Sequence, residues 1–194
     1  MKIMKLKKLY LLGCCAVMTA TALPATAASL DVTFTANIRE TTCDMAIEGG
    51  SGDGKANIIP IGTSGKVSLD KVLAGDSTAK TTFKLKITEC PTSLSSLKTT
   101  VSGTASGSVN TAIANSTLTT NGGADYMAVS IARNSAPNAP FKINSTVDSE
   151  RLVWSAAEIS SQEVELVAKL LETSSGRATT GTFSALATFN FTYE

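Results

Sequence analysis

An all-β chain folded as an antiparallel sandwich is what this sequence predicts, on three observations. Apolar and polar residues alternate in short runs about ten residues apart, turn residues separate the runs, and helical periodicity is almost absent. Strands of this spacing suit an immunoglobulin-like sandwich. The chain has 194 residues, 43% hydrophobic but only 5% aromatic, so its core must be built largely from small and β-branched side chains. With 0 histidines, Ser-His-Asp and Cys-His catalysis, His-ligated zinc and imidazole pH switching are excluded. A net charge of +1 without a basic cluster in the body of the chain offers no footprint for nucleic acid.

The first element is an export signal over residues 1–27. Lys2, Lys5, Lys7 and Lys8 precede an uncharged apolar run of 15 residues (9–23), too short for stable membrane insertion. Pro24 and the small-residue triplet Ala25-Thr26-Ala27 then form a cleavage pattern that predicts a mature chain from Ala28. Losing four of the 17 basic residues leaves 13 against 16 acidic ones, a mature charge of about −3. Cys14 and Cys15 lie inside the apolar run; Leu11-Leu12-Gly13-Cys14 faintly resembles a lipobox, but the apolar stretch before it is short and the better cleavage site lies downstream. Both cysteines are expected to leave with the signal. Cys43 and Cys90 then remain as an even pair in an oxidising compartment, where a disulfide is the expectation.

The mature chain reads as strands. Leu30, Val32, Phe34, Ala36 and Ile38 occupy alternate positions, and after the glycine-rich stretch 49–54 come Ile58, Ile59, Ile61, Val67 and Leu69, ending at Gly75. Residues 82–88 form a clean strand, with Phe83, Leu85 and Ile87 on one face and Lys84 and Lys86 on the other. Further strand candidates are 98–101, 127–131, 141–143 and 164–171; residues 153–160 suit a short helical turn. Ser, Thr, Asn and Gly clusters at 102–108 and 121–123 read as loops.

The last segment carries the most information. From Gly181 onward Phe183, Ala185, Ala187, Phe189, Phe191 and Tyr193 alternate to within one residue of Glu194. An apolar edge strand this long is an aggregation hazard unless covered. No later segment follows to pair with it, so the sandwich is expected to lack its final strand.

Taken together, the sequence resembles the pilin subunits of chaperone-usher fimbriae, similar to those of type 1 pili. The matching elements are the alternating extension before the first cysteine, Cys43 followed by a variable loop, the block Ile59-Pro60-Ile61-Gly62 through Gly75, the run 82–90, the run 164–171 and the terminal strand. That family typically has an aromatic penultimate residue and a glycine fourteenth from the end, matched by Tyr193 and Gly181. One departure is Ala36, seven residues before Cys43, where many pilins carry glycine.

The resemblance implies an incomplete immunoglobulin-like domain (38–194) with an apolar groove beside its C-terminal strand, preceded by a donor-strand extension (28–37). A periplasmic chaperone lends a strand to the groove, and its basic cleft anchors the terminal carboxylate, here that of Glu194. At the outer-membrane usher the extension of a neighbouring pilin replaces the lent strand, a β-augmentation mode of recognition. Leu30, Val32, Phe34 and Ala36 are the donor candidates; residues Gly181, Phe183, Ala185, Ala187, Phe189, Phe191, Tyr193 and Glu194 form the acceptor side. The implied place is a surface fimbrium of a Gram-negative bacterium, used in cell adhesion and reached through the periplasm. The short extension resembles minor adaptor subunits more than the major shaft pilin. About 167 mature residues leave no room for the extra lectin domain of a tip adhesin.

Rival functions find little support in the sequence. Glu158, Glu163, Glu165 and Glu172 offer acids for a glycosidase but lack an aromatic sugar platform, and read as a solvated charge cluster. Asp53 lacks the alternating acidic ligands of a calcium loop. Trp154 would mark the sugar site of a secreted carbohydrate-binding sandwich, but reads first as a packing residue. No catalytic, cofactor-binding or metal-binding residue is expected.

Overall fold

A computed structural model of the chain describes residues 42–91 and 94–193. The expected signal peptide, the donor candidates Leu30, Val32, Phe34 and Ala36, and Glu194 therefore lie outside the described residues. The described elements are β1 (Asp44–Glu48), β2 (Ser51–Gly52), β3 (Asn57–Ile58), α1 (Leu69–Leu73), β4 (Lys80–Glu89), β5 (Leu97–Ser102) and β6 (Ala112–Ala114), then β7 (Met127–Arg133), β8 (Leu152–Val153), α2 (Ala156–Ser161), β9 (Glu163–Glu172) and β10 (Thr188–Tyr193).

Among the described residues these strands form a five-stranded sheet in the order β1-β4-β9-β7-β6, a three-stranded sheet β10-β5-β8 and a small β2-β3 hairpin. Every strand pair is antiparallel. The order follows from the side-chain pattern. β4 turns Phe83, Leu85 and Ile87 inward, and its neighbour β9 meets them with Leu166 opposite Phe83 and Val164 opposite Leu85. The other sheet contributes Leu97 and Val101 of β5 and Leu152 of β8, all fully buried. Trp154, just after β8, is buried as well, and its indole N–H donates to Thr99 Oγ1 at 2.9 Å, which satisfies the polar atom that burial would otherwise leave unpaired.

Among the described residues two short α-helices interrupt the sheets. α2 begins with a capping box: Ser155 Oγ accepts from Glu158 N, and the Glu158 carboxylate accepts from Ser155 N at 2.7 Å. It realises the expected helical turn. α1 was not expected, because Val67 and Leu69 read as a continuing strand; it ends at Ala74, and Gly75 takes the left-handed conformation (φ 64°) that closes such a helix.

Two further expectations are corrected. Residues 141–143 are not a strand: Phe141 N–H donates to Ile131 O and Ile143 N–H to Asn110 O, so their backbone is satisfied by separate partners while both side chains are buried. The stretch after Cys43, expected as a variable loop, opens with β1, whose Met45 and Ile47 pair with Ile87 and Leu85. The glycine-rich stretch after it is ordered by Asp53 Oδ1, which accepts from Lys55 N and Ala56 N at 2.8 Å each.

Candidate functional site

β1 and β10 are the edge strands on one side of the two sheets, and the site lies where they meet. Among the described residues β10 has a strand partner on one side only, β5, with Phe189 opposite Val101, Phe191 opposite Thr99 and Tyr193 opposite Leu97. The partners on β5 are fully buried at Leu97, Thr99 and Val101, whereas Phe189, Phe191 and Tyr193 are only half-buried. On the other sheet Met45 and Ile47 of β1 are likewise half-buried although Ile87 and Leu85 beside them are buried. Inward-facing side chains of both edges thus leave apolar surface uncovered along the seam.

The two edges are joined at one end. Tyr193 Oη donates to the carbonyl of Cys43 at 3.0 Å. Burial pushes the Tyr193 phenol pKa up, and the nearby charge of Asp44 adds to the effect, so the hydroxyl keeps its proton for that bond. Cys43 is bridged to Cys90 with their Cα atoms 4.3 Å apart, tying the start of β1 to the end of β4. Deeper in the seam the ring of Phe189 packs on Phe83 of β4, centroids 5.8 Å apart and tilted by 54°.

The edges differ in their backbone. The outer side of β1 is occupied at Ile47, whose N–H donates to Gly54 O and whose carbonyl accepts from Asn57 Nδ2 at 3.2 Å. The open hydrogen-bonding edge is therefore that of β10.

Alternation extends beyond the strand. Phe183, Ala185 and Ala187 are half-buried and residues 182, 184 and 186 exposed, although the β10 ladder begins only at Thr188. The expected strand from Gly181 to the terminus is thus a six-residue strand preceded by an extended segment held in other ways. Gly181 is where the segment enters: a Cβ there would sit 2.5 Å from Ala124 N, a contact with backbone that only glycine avoids. Gly103 does the same farther along, since a Cβ would lie 2.8 Å from Leu186 O. Asn115, on the loop after β6, contacts both Thr182 and Ser184 through its side-chain amide. Nothing in the spacing of the sequence singles out Asn115 or Gly103, because their partners lie far along the chain.

The other polar candidates have structural duties. Glu158 caps α2 and pairs with Arg133, Glu163 binds Lys84 at 2.8 Å, Glu165 accepts from Asn134 Nδ2 at 2.7 Å, and Glu172 accepts the N–H groups of Arg177 and Ala178. They are spread over α2 and both ends of β9 and form no common site. Trp154 is buried, which removes it as a sugar platform. Among the described residues no group of three metal-ligating side chains converges, and no helix is long and apolar enough to cross a membrane.

Comparison with known proteins gives a consistent result. A family model described as "Fimbrial protein" matches residues 32–194. The "Uncharacterized fimbrial-like protein YadM" of Escherichia coli (strain K12) is 31% identical over 175 residues, spanning 87% of this chain and 88% of that one. Among solved structures, the P pilus rod subunit PapA aligns with a TM-score of 0.54 at 19% identity, over 84% of this chain and 100% of that one, which shows a shared fold.

Proposed function

This chain belongs to the fimbrial protein family, and we propose that it polymerises by donor-strand exchange, as a minor or adaptor subunit of a chaperone-usher fimbria used in cell adhesion. The single observation that carries this reading is the half-buried row on β10, Phe189, Phe191 and Tyr193, with a strand partner on one side only among the described residues. A strand laid along that edge pairs with open backbone and covers the apolar seam in one step.

Two strands occupy the edge in turn. The first comes from a periplasmic chaperone after residues 1–27 are removed, with the carboxylate of Glu194 in its basic cleft. The second, at the outer-membrane usher, is the extension of a neighbouring subunit. This chain in turn donates residues 28–37, with Leu30, Val32 and Phe34 entering the neighbour's seam and Ala36 setting the register next to the domain of residues 38–194. Burying three such side chains contributes roughly 4.5 to 9 kcal/mol, at about 1.5 to 3 kcal/mol each, before main-chain hydrogen bonds are added. A joint of that strength inside a folded domain opens very slowly. The shortness of the extension favours an adaptor place over a shaft.

The test is deletion of residues 28–35. The shortened subunit is expected to co-purify with its chaperone and to accept a neighbour's strand, yet to be missing as a donor from polymer ladders on denaturing gels run without boiling. Ladders of normal length and intensity from the deletion refute the donor assignment.

A further inference from the structure

Residues 182–187 keep the side-chain alternation of a strand without a neighbouring strand in the β10 ladder, which stops at Thr188 opposite Ser102. What holds the segment is the loop after β6. Thr182 N–H donates to Gly122 O at 2.9 Å and Thr182 O accepts from Ala124 N at 3.0 Å, while Ser184 O accepts from Ser116 N at 2.7 Å and from Ser116 Oγ at 2.8 Å. Asn115 supplies the rest. Its Nδ2 donates to Thr182 O at 2.9 Å and to Ala124 O at 2.8 Å, and its Oδ1 accepts from Ser184 N at 3.0 Å and from Thr117 N at 3.1 Å. A primary amide offers two N–H donors and two lone pairs, and here all four are engaged.

The parity of these bonds matters. Every one of these bonds that reaches the terminal segment is made at Thr182 or Ser184. In an extended chain, successive residues direct their N–H and C=O groups to opposite edges, so the backbone groups of Phe183, Ala185 and Ala187 are directed to the other edge. That is the edge continuous with the open side of β10. The geometry points to Asn115 as a positioning residue for strand capture: its amide stands in for a neighbouring strand along residues 182–184 and lengthens the receptive edge from β10 alone to residues 183–193. This inference rests on the strand-acceptor reading of β10 and adds the residue that sets how far the acceptor edge reaches.

The experiment uses the full chain purified with its chaperone and then transferred to an excess of a synthetic peptide of residues 28–37. Amide hydrogen exchange is read at Phe183, Ala185 and Ala187 and, separately, at Phe189, Phe191 and Tyr193, in the wild type, in Asn115→Asp and in Ser116→Ala. Aspartate has nearly the same shape but loses both donors and directs negative charge at the carbonyls of Thr182 and Ala124. In the peptide-bound wild type all six amides are expected to be protected. In Asn115→Asp the three on β10 stay protected, while the other three exchange about tenfold faster or more, as loss of two hydrogen bonds implies. Ser116→Ala keeps its main-chain bond to Ser184, so it is expected to show the same split at smaller size, and it decides the matter if Asn115→Asp does not fold.

Equal protection of all six amides in the variants overturns the inference, and so does a uniform loss over all six, which is the mark of general destabilisation. A wild type in which none of the six is protected either in the chaperone complex or at saturating peptide defeats the strand-acceptor reading itself, a result distinct from either of those.

Discussion

Asp76 shows how much a single half-buried side chain organises. It caps the 3₁₀ turn Ser77–Ala79 that leads into β4, accepting from Thr78 N and Thr78 Oγ1 at 2.9 Å each and pairing with Lys71 Nζ at 3.2 Å. The Thr78 backbone N–H, its hydroxyl and the Lys71 ammonium hold the carboxyl at about 2, well below the usual carboxylate range. A pKa depressed on folding stabilises the native state above the unfolded value near 4, and that contribution is lost as pH falls toward 2. Asp76→Ala is therefore expected to melt below the wild type at pH 6, with the gap closing between about pH 4 and pH 2; a gap independent of pH in thermal melts contradicts the assignment. Other residues act by what they lack. Gly181 was visible in the sequence by its distance from the terminus, but Gly103 sits among serines and glycines where local composition gives no reason to separate it from its neighbours.

Among the strands, those with several consecutive alternations were readable and the shortest were not, while the helical turn of α2 was readable from residues 153–160. β4, β7 and β9 lie where their periodicity places them because each buries a run of three or more side chains on one face. β1 and β6 offer two or three such positions, and α1 is scarcely longer than one turn, too short for its period to differ from that of a strand. Residues 141–143 alternate for a different reason: Phe141 and Ile143 are anchors of a loop that dips into the core. The apolar face of the terminal segment was likewise readable, but the extent of its hydrogen-bonding edge was not, since that is set by Asn115, 67 and 69 positions before the residues it holds. The disulfide belongs to this scale, since it fastens two strands that already pair. Cys43 and Cys90 flank the Asp44–Glu89 pair, 47 residues apart in sequence. Closing a loop of that size stabilises the fold by roughly 4 kcal/mol in the chain-entropy model. Non-reducing peptide mapping is expected to find the two linked, and urea unfolding of Cys43→Ser/Cys90→Ser to show a loss of that order; free thiols, or a loss within about 0.5 kcal/mol, contradict the staple.

For the molecule as a whole, the important contrast is between strands that are interior to their sheets and strands at the seam. The interior strands bury Leu85, Leu97, Val101 and Leu166 completely, so the core between the sheets is well formed. At the seam Met45, Ile47, Phe183, Phe189, Phe191 and Tyr193 remain half-buried, and a hydrogen bond from the Tyr193 side chain to the Cys43 carbonyl ties β10 to the opposite edge. Carrying a half-buried aromatic side chain to full burial is worth about 1 kcal/mol, so covering three of them with a strand is comparable to a large part of a small domain's net stability. Until the seam is covered, the same surface favours pairing between copies, since β10 has a strand partner on one side only among the described residues, lies beside half-buried apolar side chains and carries neither proline nor a charged residue along Thr188–Tyr193. On the proposed donor-strand route two outcomes would compete in the periplasm, capture by a strand-lending chaperone and edge-to-edge aggregation, and only the first would preserve the subunit. The mature chain expressed there alone is therefore expected to be degraded or to sediment, and to accumulate in the soluble fraction only when its chaperone is supplied. Quantitative immunoblots of soluble and pelleted fractions measure this, and a stable soluble monomer made without the chaperone contradicts it, because such a monomer must already have covered the seam from within its own chain.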